Sequence, residues 1–252
     1  MTSPSPPGRR SGHSALTALL SGAHALLLDF DGPVTRFFEG YDTAVIAEEI
    51  KELLAEHGVP LPDAVLASMD PHALLQLLRS EVFTERRPGL GQQKTLELAE
   101  GIVTDHEYRV VGGAPLDTHV KGLLELLARR GKRLVVVSNN AEGPVRAYLE
   151  RHGLRGMFDA VFGRDPVELR HMKPHPDCVR RALHHLVADP KDCLLVGDQL
   201  TDLAAARAAG VPFLGYARTA QVAARMRDNG AAWADITWEP LLAAARKLPG
   251  PN

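Results

Sequence analysis

The sequence has little cysteine, little net charge and no long apolar run, and each lack argues against a class of protein. Its two cysteines, Cys178 and Cys193, are too few for a disulfide framework and have no Cys-x-x-Cys spacing. Lysine and arginine number 29 against 31 aspartates and glutamates, which leaves no basic footprint for a nucleic-acid partner. No run reaches the roughly 18 apolar residues of a membrane span. We therefore expect a cytoplasmic protein with reduced thiols and neither nucleic-acid nor membrane partners.

The length of 252 residues suits a core domain with a smaller insert. Residues 1–20 are predicted to be a flexible N-terminal tail, because the first 14 are rich in Pro, Ser, Gly and Arg. Arg9 and Arg10 precede a mildly apolar stretch, which superficially resembles a secretory signal. That stretch leads directly into a predicted strand, ALLLDF, so cleavage there would leave no slack before the strand.

Short apolar runs alternate with helical patterns along most of the chain. The runs cover residues 25–30, 132–140 and 192–198, and more weakly 159–163 and 211–216. Runs of this kind are typical of strands buried on both faces. The alternation predicts an α/β fold with a doubly wound, mainly parallel, Rossmann-like sheet. Near the C-terminus, Trp233 and Trp238 are expected to pack a last strand and helix.

Residues 36–113 break this rhythm. Their patterns predict helices over residues 41–57, 62–69, 71–79 and 92–108, separated by prolines and glycines. We interpret residues 36–113 as a helical cap and residues 21–35 and 114–252 as the catalytic core.

Four polar stretches fall at the carboxyl ends of predicted strands, where open parallel sheets build their sites. They are DFDG (29–32), SNN (138–140), KP (173–174) and GDQLTD (197–202). Asp29 and Asp31 lie two apart, so an extended backbone puts both carboxylates on one side, where they must share a proton or bind a cation. The alternative is an ordinary strand-end turn.

The other stretches also have two interpretations each. Ser138 could bind phosphate oxygens or simply cap a helix. Lys173 could neutralise charge on a phosphoryl group or lie on the surface. Asp198 and Asp202 could hold Mg²⁺, which prefers carboxylate oxygens, or could complement a helix dipole.

The order and spacing of the four stretches resemble the haloacid dehalogenase-like hydrolase superfamily over about residues 24–240. The resemblance implies that Asp29 is a nucleophile that forms an aspartyl-phosphate and that Asp31 is the general acid and base. It implies that Ser138 and the Asn139 backbone bind phosphate while Lys173 stabilises negative charge.

The same resemblance implies a magnesium cofactor. Asp29, the backbone carbonyl of Asp31 and Asp198 would hold it, and Asp202 would orient water or Lys173. The insert resembles the helical cap that sets substrate specificity in many members. The first motif departs from the family pattern at Pro33, which removes a backbone donor near the start of the insert.

Within the insert, arginine and lysine side chains could grip a second anionic group of the substrate. Arg36 is the best candidate because it is nearest to Asp29 in sequence. Arg86, Arg87 and Lys94 are further candidates, with an exposed charged face as the alternative.

We expect a phosphatase, acting as a monomer or homodimer on a small phosphorylated substrate. A phosphomutase resembling β-phosphoglucomutase is the nearest alternative, since it would retain Asp29 and Asp31. A dehalogenase is disfavoured, because cleavage of a carbon–halogen bond does not require the general acid and base that Asp31 supplies. A receiver-like phospho-acceptor module fits the order of the motifs poorly, and a catalytically silent binding protein is disfavoured by the complete set.

Overall fold

A computed structural model of the chain describes residues 8–250, and its elements alternate as the sequence predicts. In chain order they are α1 (Gly8–Gly22), β1 (Ala25–Leu28), α2 (Ala44–Glu56), α3 (Asp63–Ala67), α4 (Pro71–Leu77), α5 (Leu90–Val110), α6 (Thr118–Arg129), β2 (Arg133–Val137), α7 (Glu142–Arg151), β3 (Ala160–Phe162), α8 (Asp177–Leu186), β4 (Cys193–Gly197), α9 (Leu200–Ala209), β5 (Phe213–Tyr216), α10 (Ala220–Asp228), β6 (Trp233–Asp235) and α11 (Glu239–Arg246).

The strands form a six-stranded sheet in the order β3-β2-β1-β4-β5-β6. Every pairing in it is parallel. The α/β prediction is thus confirmed. The order reverses beside β1, the first strand, so the crevice above the carboxyl ends of β1 and β4 is the expected ligand site of such a sheet.

The sheet is buried on both faces, which explains why its strands are apolar throughout rather than alternating. Leu26 and Leu28 of β1 belong to one hydrophobic cluster, with α1, α6, α7 and α11. Ala25 and Leu27 belong to a second cluster on the opposite face, with α8, α9 and α10. Helices therefore cover both sides and fix the strand ends rigidly.

The sequence predicts a flexible tail over residues 1–20, but the structure contradicts this prediction from Gly8 onward. Residues 8–22 form α1, and the side chains of Leu16 and Leu20 are completely buried in the cluster that includes Leu241 and Ala244 of α11. Their spacing of four residues puts both on one helical face, which offsets the cost of ordering this polar-rich segment. The first seven residues of the expected tail lie outside the described part of the chain.

Residues 36–113 contain helices α2 to α5 and no strand. These helices have their own hydrophobic cluster, with Ile46, Ile50, Leu74 and Val103 at its centre. Two core residues, Leu169 and Met172, pack into it and join the insert to the sheet domain. Within residues 8–250, no helix is both long enough and apolar enough to cross a membrane.

Candidate active site

The carboxyl ends of three neighbouring strands bring the first, second and fourth motifs together. Asp29 follows β1, Ser138 follows β2 and Asp198 follows β4. Residue 28 pairs with residue 136 on one side and with residue 196 on the other, so the three side chains emerge at nearly the same height. The parallel sheet thus brings together residues that lie 60 to 169 positions apart.

The sequence predicted Lys173 at the end of a strand, but in the structure it completes this group from the loop before α8. Its Nζ donates to Asp29 Oδ1 at 2.7 Å, to Asp202 Oδ1 at 2.5 Å and to the Val137 carbonyl at 3.2 Å. Only 2% of the residue is exposed. Burial alone would lower the pKa of Lys173, but the carboxylates of Asp202 and Asp29 outweigh it and raise the pKa above its usual value. The neighbouring carboxylates therefore favour the charged form of the lysine.

We call Asp29, Lys173, Asp198 and Asp202 the strand-end cluster. An oxygen from each of its three carboxylates lies within 4.8 Å of the others. Oδ1 of Asp198 is buried and has no hydrogen-bond partner within residues 8–250, whereas its Oδ2 accepts from Arg218 Nε at 3.1 Å. A Cβ at Gly32 would collide with the Asp198 carboxyl group, so glycine is required there.

The pKa values of the cluster reflect its crowded negative charge. Burial, followed by repulsion from Asp202, raises the pKa of Asp29 well above its usual range despite the attraction of Lys173. Burial and Asp202 likewise raise the pKa of Asp198 to about 6. Carboxylates crowded in this way must take up a proton or a cation.

Asp31 lies in a tight turn just beyond Asp29. Its Oδ1 accepts a hydrogen bond from the Phe37 amide at 2.8 Å. Burial raises its pKa, and the Phe37 N–H together with His72 partly offsets the effect. The amides on both sides of Pro33 are bonded, Gly32 N to the Thr35 carbonyl and Val34 N to the Phe30 carbonyl, so the turn closes without a donor at residue 33.

Ser138 and Asn139 belong to the loop after β2. The Asn140 amide donates to Ser138 Oγ at 3.1 Å, and this hydroxyl lies 3.0 Å from Asn140 Oδ1. The side chain of Asn139 is used differently from the predicted phosphate contact, which involved only its backbone. Its Oδ1 accepts from the Lys173 amide at 2.7 Å and its Nδ2 donates to the Lys173 carbonyl at 3.1 Å, so it fixes the lysine loop.

Asp202 is held as firmly as Lys173. Its Oδ2 accepts from the Gln199 amide at 3.0 Å at the start of α9 while its Oδ1 accepts from Lys173. Both oxygens are thus occupied, and one of them contacts the Lys173 ammonium group.

Two adjoining cavities open above these residues. The smaller, about 140 Å³, is lined by Asp29, Asp31, Ser138 and Lys173 among others. The larger, about 840 Å³, lies between the insert and the core and is reached by Asp31, Asp198 and Arg36. The geometry gives a small polar chamber at the carboxylates and a wider space beyond it.

Of the four cationic side chains predicted to bind a second anionic group of the substrate, one lines an active-site cavity and three do not. Arg36 lines the larger cavity, but its side chain is 67% exposed and pairs with Glu39 at 2.9 Å. Arg86 and Arg87 are exposed and line none of the described cavities. Lys94 is exposed too and pairs with Glu97 at 3.5 Å.

Sequence reasoning missed two features of the site. Arg218, after β5, reaches Asp198 across the sheet. A second buried ionic group, which we call the interface cluster, joins the insert to the core and consists of His72, Glu100, Glu107, Asn140 and Arg164. Helix amphipathicity could have indicated that Glu107 faces inward, but no local signal pairs it with Arg164, 57 residues later.

Comparisons with known proteins agree with this arrangement. Residues 23–210 match the family model described as haloacid dehalogenase-like hydrolase. The chain is 32% identical over 205 residues to a phosphoglycolate phosphatase of Rhodospirillum rubrum, covering 77% of this chain and 81% of the relative. It is 29% identical over 193 residues to a phosphoglycolate phosphatase of Cupriavidus necator, covering 75% and 78%.

A solved structure shows the same fold. CbbY from Rhodobacter sphaeroides, determined in complex with phosphate, superposes with a TM-score of 0.58 at 21% identity and covers 89% of this chain and 99% of its own. The family match spans most of the chain and includes the strand-end cluster, so the chain belongs to the haloacid dehalogenase-like hydrolase family.

Proposed function

We propose that the chain is a Mg²⁺-dependent phosphatase that hydrolyses a small phosphorylated metabolite through an aspartyl-phosphate on Asp29. The observation that carries the proposal is the strand-end cluster, in which buried Lys173 bridges Asp29 and Asp202 at the wall of a small polar cavity. Phosphoryl transfer depends mainly on positioning and on stabilising charge, and this cluster supplies both.

The donor set fits magnesium. Asp198 offers a buried oxygen without a partner, and Asp29 Oδ2 has no hydrogen bond within the described residues. Asp29, Asp198 and the Asp31 carbonyl would hold the ion, whereas Asp202 has both oxygens occupied. When bound, Mg²⁺ supplies neutralisation of charge on the carboxylates and on the phosphoryl oxygens.

The residues of this chain then account for each bond change. A carboxylate oxygen of Asp29 forms a bond to phosphorus while the bond from phosphorus to the leaving oxygen breaks. Asp31, whose pKa is raised by burial, donates a proton to that leaving oxygen. Water next attacks the aspartyl-phosphate and gives its proton to Asp31, which releases phosphate and restores Asp29. Ser138 and the Asn139 backbone bind the phosphoryl oxygens throughout, and the charge of Lys173 stabilises the negative charge there.

The insert above the larger cavity is proposed to be the specificity cap. Two relatives that match over most of this chain are named phosphoglycolate phosphatases, so phosphoglycolate is the first substrate to test. We further propose that the enzyme works in the cytoplasm, as a monomer or homodimer. Both cysteines are unpaired and buried, and burial raises the pKa of each thiol to about 11.

Measurement of phosphate release tests the proposal. Phosphoglycolate, pyrophosphate, sugar phosphates and nucleotides would be incubated with the protein in Mg²⁺ and in a chelator. We expect release from at least one substrate in Mg²⁺ and a loss of about a hundredfold or more with the chelator. Conversion of one sugar phosphate to its isomer without free phosphate would support the mutase alternative. Release that persists in the chelator would contradict the metal-dependent mechanism.

A further inference from the structure

Glu107, near the end of α5, is completely buried between the insert and the core. Its Oε1 accepts from His72 Nε2 at 3.1 Å and from Asn140 Nδ2 and Arg164 Nη1 at 3.0 Å each. Its Oε2 accepts from the Ala141 amide at 2.9 Å. Burial alone would raise the pKa of Glu107, but Arg164 and His72 outweigh it and lower the pKa to about 2. The carboxylate is therefore charged and saturated with donors.

Arg164 makes this group rigid. Its guanidinium is fully buried and donates to Glu100 at 2.7 Å, to Thr104 at 2.9 Å and to the Asn139 carbonyl at 2.8 Å, besides its bonds to Glu107. These partners come from α5 and from the loop after β2. The interface cluster thus locks one end of the insert against the loop that contains Ser138.

His72, the second residue of α4, connects the interface cluster with the two active-site cavities. It lines both the smaller cavity, beside Asp29 and Ser138, and the larger one. Its side chain is 22% exposed. Nε2 is bound to Glu107, and Nδ1 has no hydrogen-bond partner among residues 8–250, so a residue that lines both cavities keeps one ring nitrogen free.

We propose that His72 is a specificity-determining residue that binds an oxyanion of the substrate next to its phosphoryl group, and that Glu107 is its positioning residue. The inference rests on the proposed phosphatase function and names the substrate class, a small phosphate compound with a second oxyanion, either a carboxylate or another phosphate. Nε2 is already bound to Glu107, so Nδ1 is the ring atom that would contact that oxyanion.

Other cationic side chains near the larger cavity are more exposed than His72. The side chains of Arg36 and Arg218 are 67% and 66% exposed, and each is paired with a carboxylate. His72 is already fixed in place, so binding through it requires less loss of side-chain freedom.

Kinetics with His72→Gln test the proposal. The kcat/KM for phosphoglycolate and for pyrophosphate would each be divided by that for p-nitrophenyl phosphate, which lacks a second oxyanion. We expect each ratio to fall about ten- to hundredfold, mainly through KM, because a charge-assisted hydrogen bond is lost. A fall with only one substrate identifies the oxyanion as carboxylate or phosphate. His57→Gln, on an exposed part of the same insert, should leave both ratios unchanged.

Any loss of folded protein cancels in these ratios. Unchanged ratios, or an equal loss with all three substrates, would overturn the proposal. Glu107→Gln should lower the same ratios, and the double variant should lower them no further than His72→Gln alone. Additive losses would show that Glu107 acts only structurally.

Binding separates this inference from the proposed function. In the Asp29→Asn background with Mg²⁺, calorimetry would compare phosphoglycolate, pyrophosphate and inorganic phosphate with and without His72→Gln. We expect binding of at least one doubly anionic compound to weaken about tenfold more than binding of inorganic phosphate. That result in a protein whose wild type releases no phosphate would support His72 and contradict the phosphatase. Absence of binding by both doubly anionic compounds would overturn the inference.

Discussion

The strand-end cluster and the interface cluster are both buried and both ionic, but they differ in how completely their carboxylate oxygens are satisfied. Lys173 is shared between Asp29 and Asp202, and Asp198 keeps one oxygen without a partner. In the interface cluster, both oxygens of Glu107 are saturated with donors.

The pKa values follow this difference. Burial acts on both clusters, yet the pKa of Asp198 rises to about 6 whereas that of Glu107 falls to about 2. Crowded carboxylates with too few donors can gain by binding a cation or attacking a phosphoryl group. A carboxylate with every acceptor site occupied instead fixes the elements around it. An incomplete set of donors therefore marks carboxylates that are available for chemistry, and a complete set marks a carboxylate that positions its neighbours.

The largest expected effect is on catalysis, with Asp29→Asn. The substitution removes the nucleophile and should reduce kcat about 10⁴-fold or more, measured by phosphate release. Asn nearly preserves the shape of Asp29, and Asp202 still accepts from Lys173. The variant should melt within about 3 °C of the wild type at pH 7. An active Asn variant would contradict the assignment.

Glu107→Gln should show the opposite pattern in stability. It leaves the buried Arg164 with one charged partner fewer, so the free energy of unfolding should fall by about 3 kcal/mol. Denaturant titration at pH 7 measures this change. Glu97→Gln, on the exposed face of the same helix, is the matched control and should change it by less than about 0.5 kcal/mol. Equal effects of the two would remove the distinction between the clusters.

The pH dependence of the difference in unfolding free energy between the wild type and Glu107→Gln gives a sharper test. The pKa of Glu107 is lowered from 4.5 to about 2, so its contribution of about 3 kcal/mol is present above pH 4.5 and is lost as pH falls towards 2. His72, Asn140 and Arg164 face this carboxylate, and Glu100 lies across the guanidinium. The gap in unfolding free energy between wild type and Glu107→Gln should narrow over this range. Groups shared by both proteins cancel, so a constant gap would contradict the assignment.

A somewhat smaller effect is expected from magnesium. At one hundred times its Kd, Mg²⁺ should stabilise the wild type by about 2.7 kcal/mol. Asp198→Asn should lose most of this gain, because its carboxylate supplies the unpartnered oxygen. Thermal unfolding with and without Mg²⁺ gives the comparison, and Asp105→Asn, an exposed change on α5, is the control. Full stabilisation of Asp198→Asn would place the ion elsewhere.

The smallest effect is expected for Lys94→Ala. The side chain is exposed, pairs with Glu97 and lines neither active-site cavity. Its removal should change kcat/KM for phosphoglycolate by less than about twofold, since surface ion pairs contribute little. A loss above tenfold would show that the insert recognises substrate through this surface.

The sequence allowed the α/β core and its motifs to be predicted because both depend on local patterns. Runs buried on both faces are apolar throughout. Three of the motifs directly follow such runs, and the remaining one precedes α8. The same local reasoning misjudged residues 8–20, because the polar composition there hid the spacing of Leu16 and Leu20. The phosphate contact predicted for the Asn139 backbone stays a prediction. No local sequence pattern indicated that the Asn139 side chain bonds the backbone of Lys173.

By itself, the sequence determined which residues end the strands and therefore which carboxylates and which hydroxyl meet at one edge of the sheet. Parallel strands bring their carboxyl ends together whatever the length of chain between them. Only the tertiary structure decided how those groups are paired, that Asp198 keeps an oxygen free, and that Glu107 reaches Arg164, His72 and the loop of Ser138 at once. Such pairings depend on distances across the packed insert and core, and no periodicity along the chain encodes them.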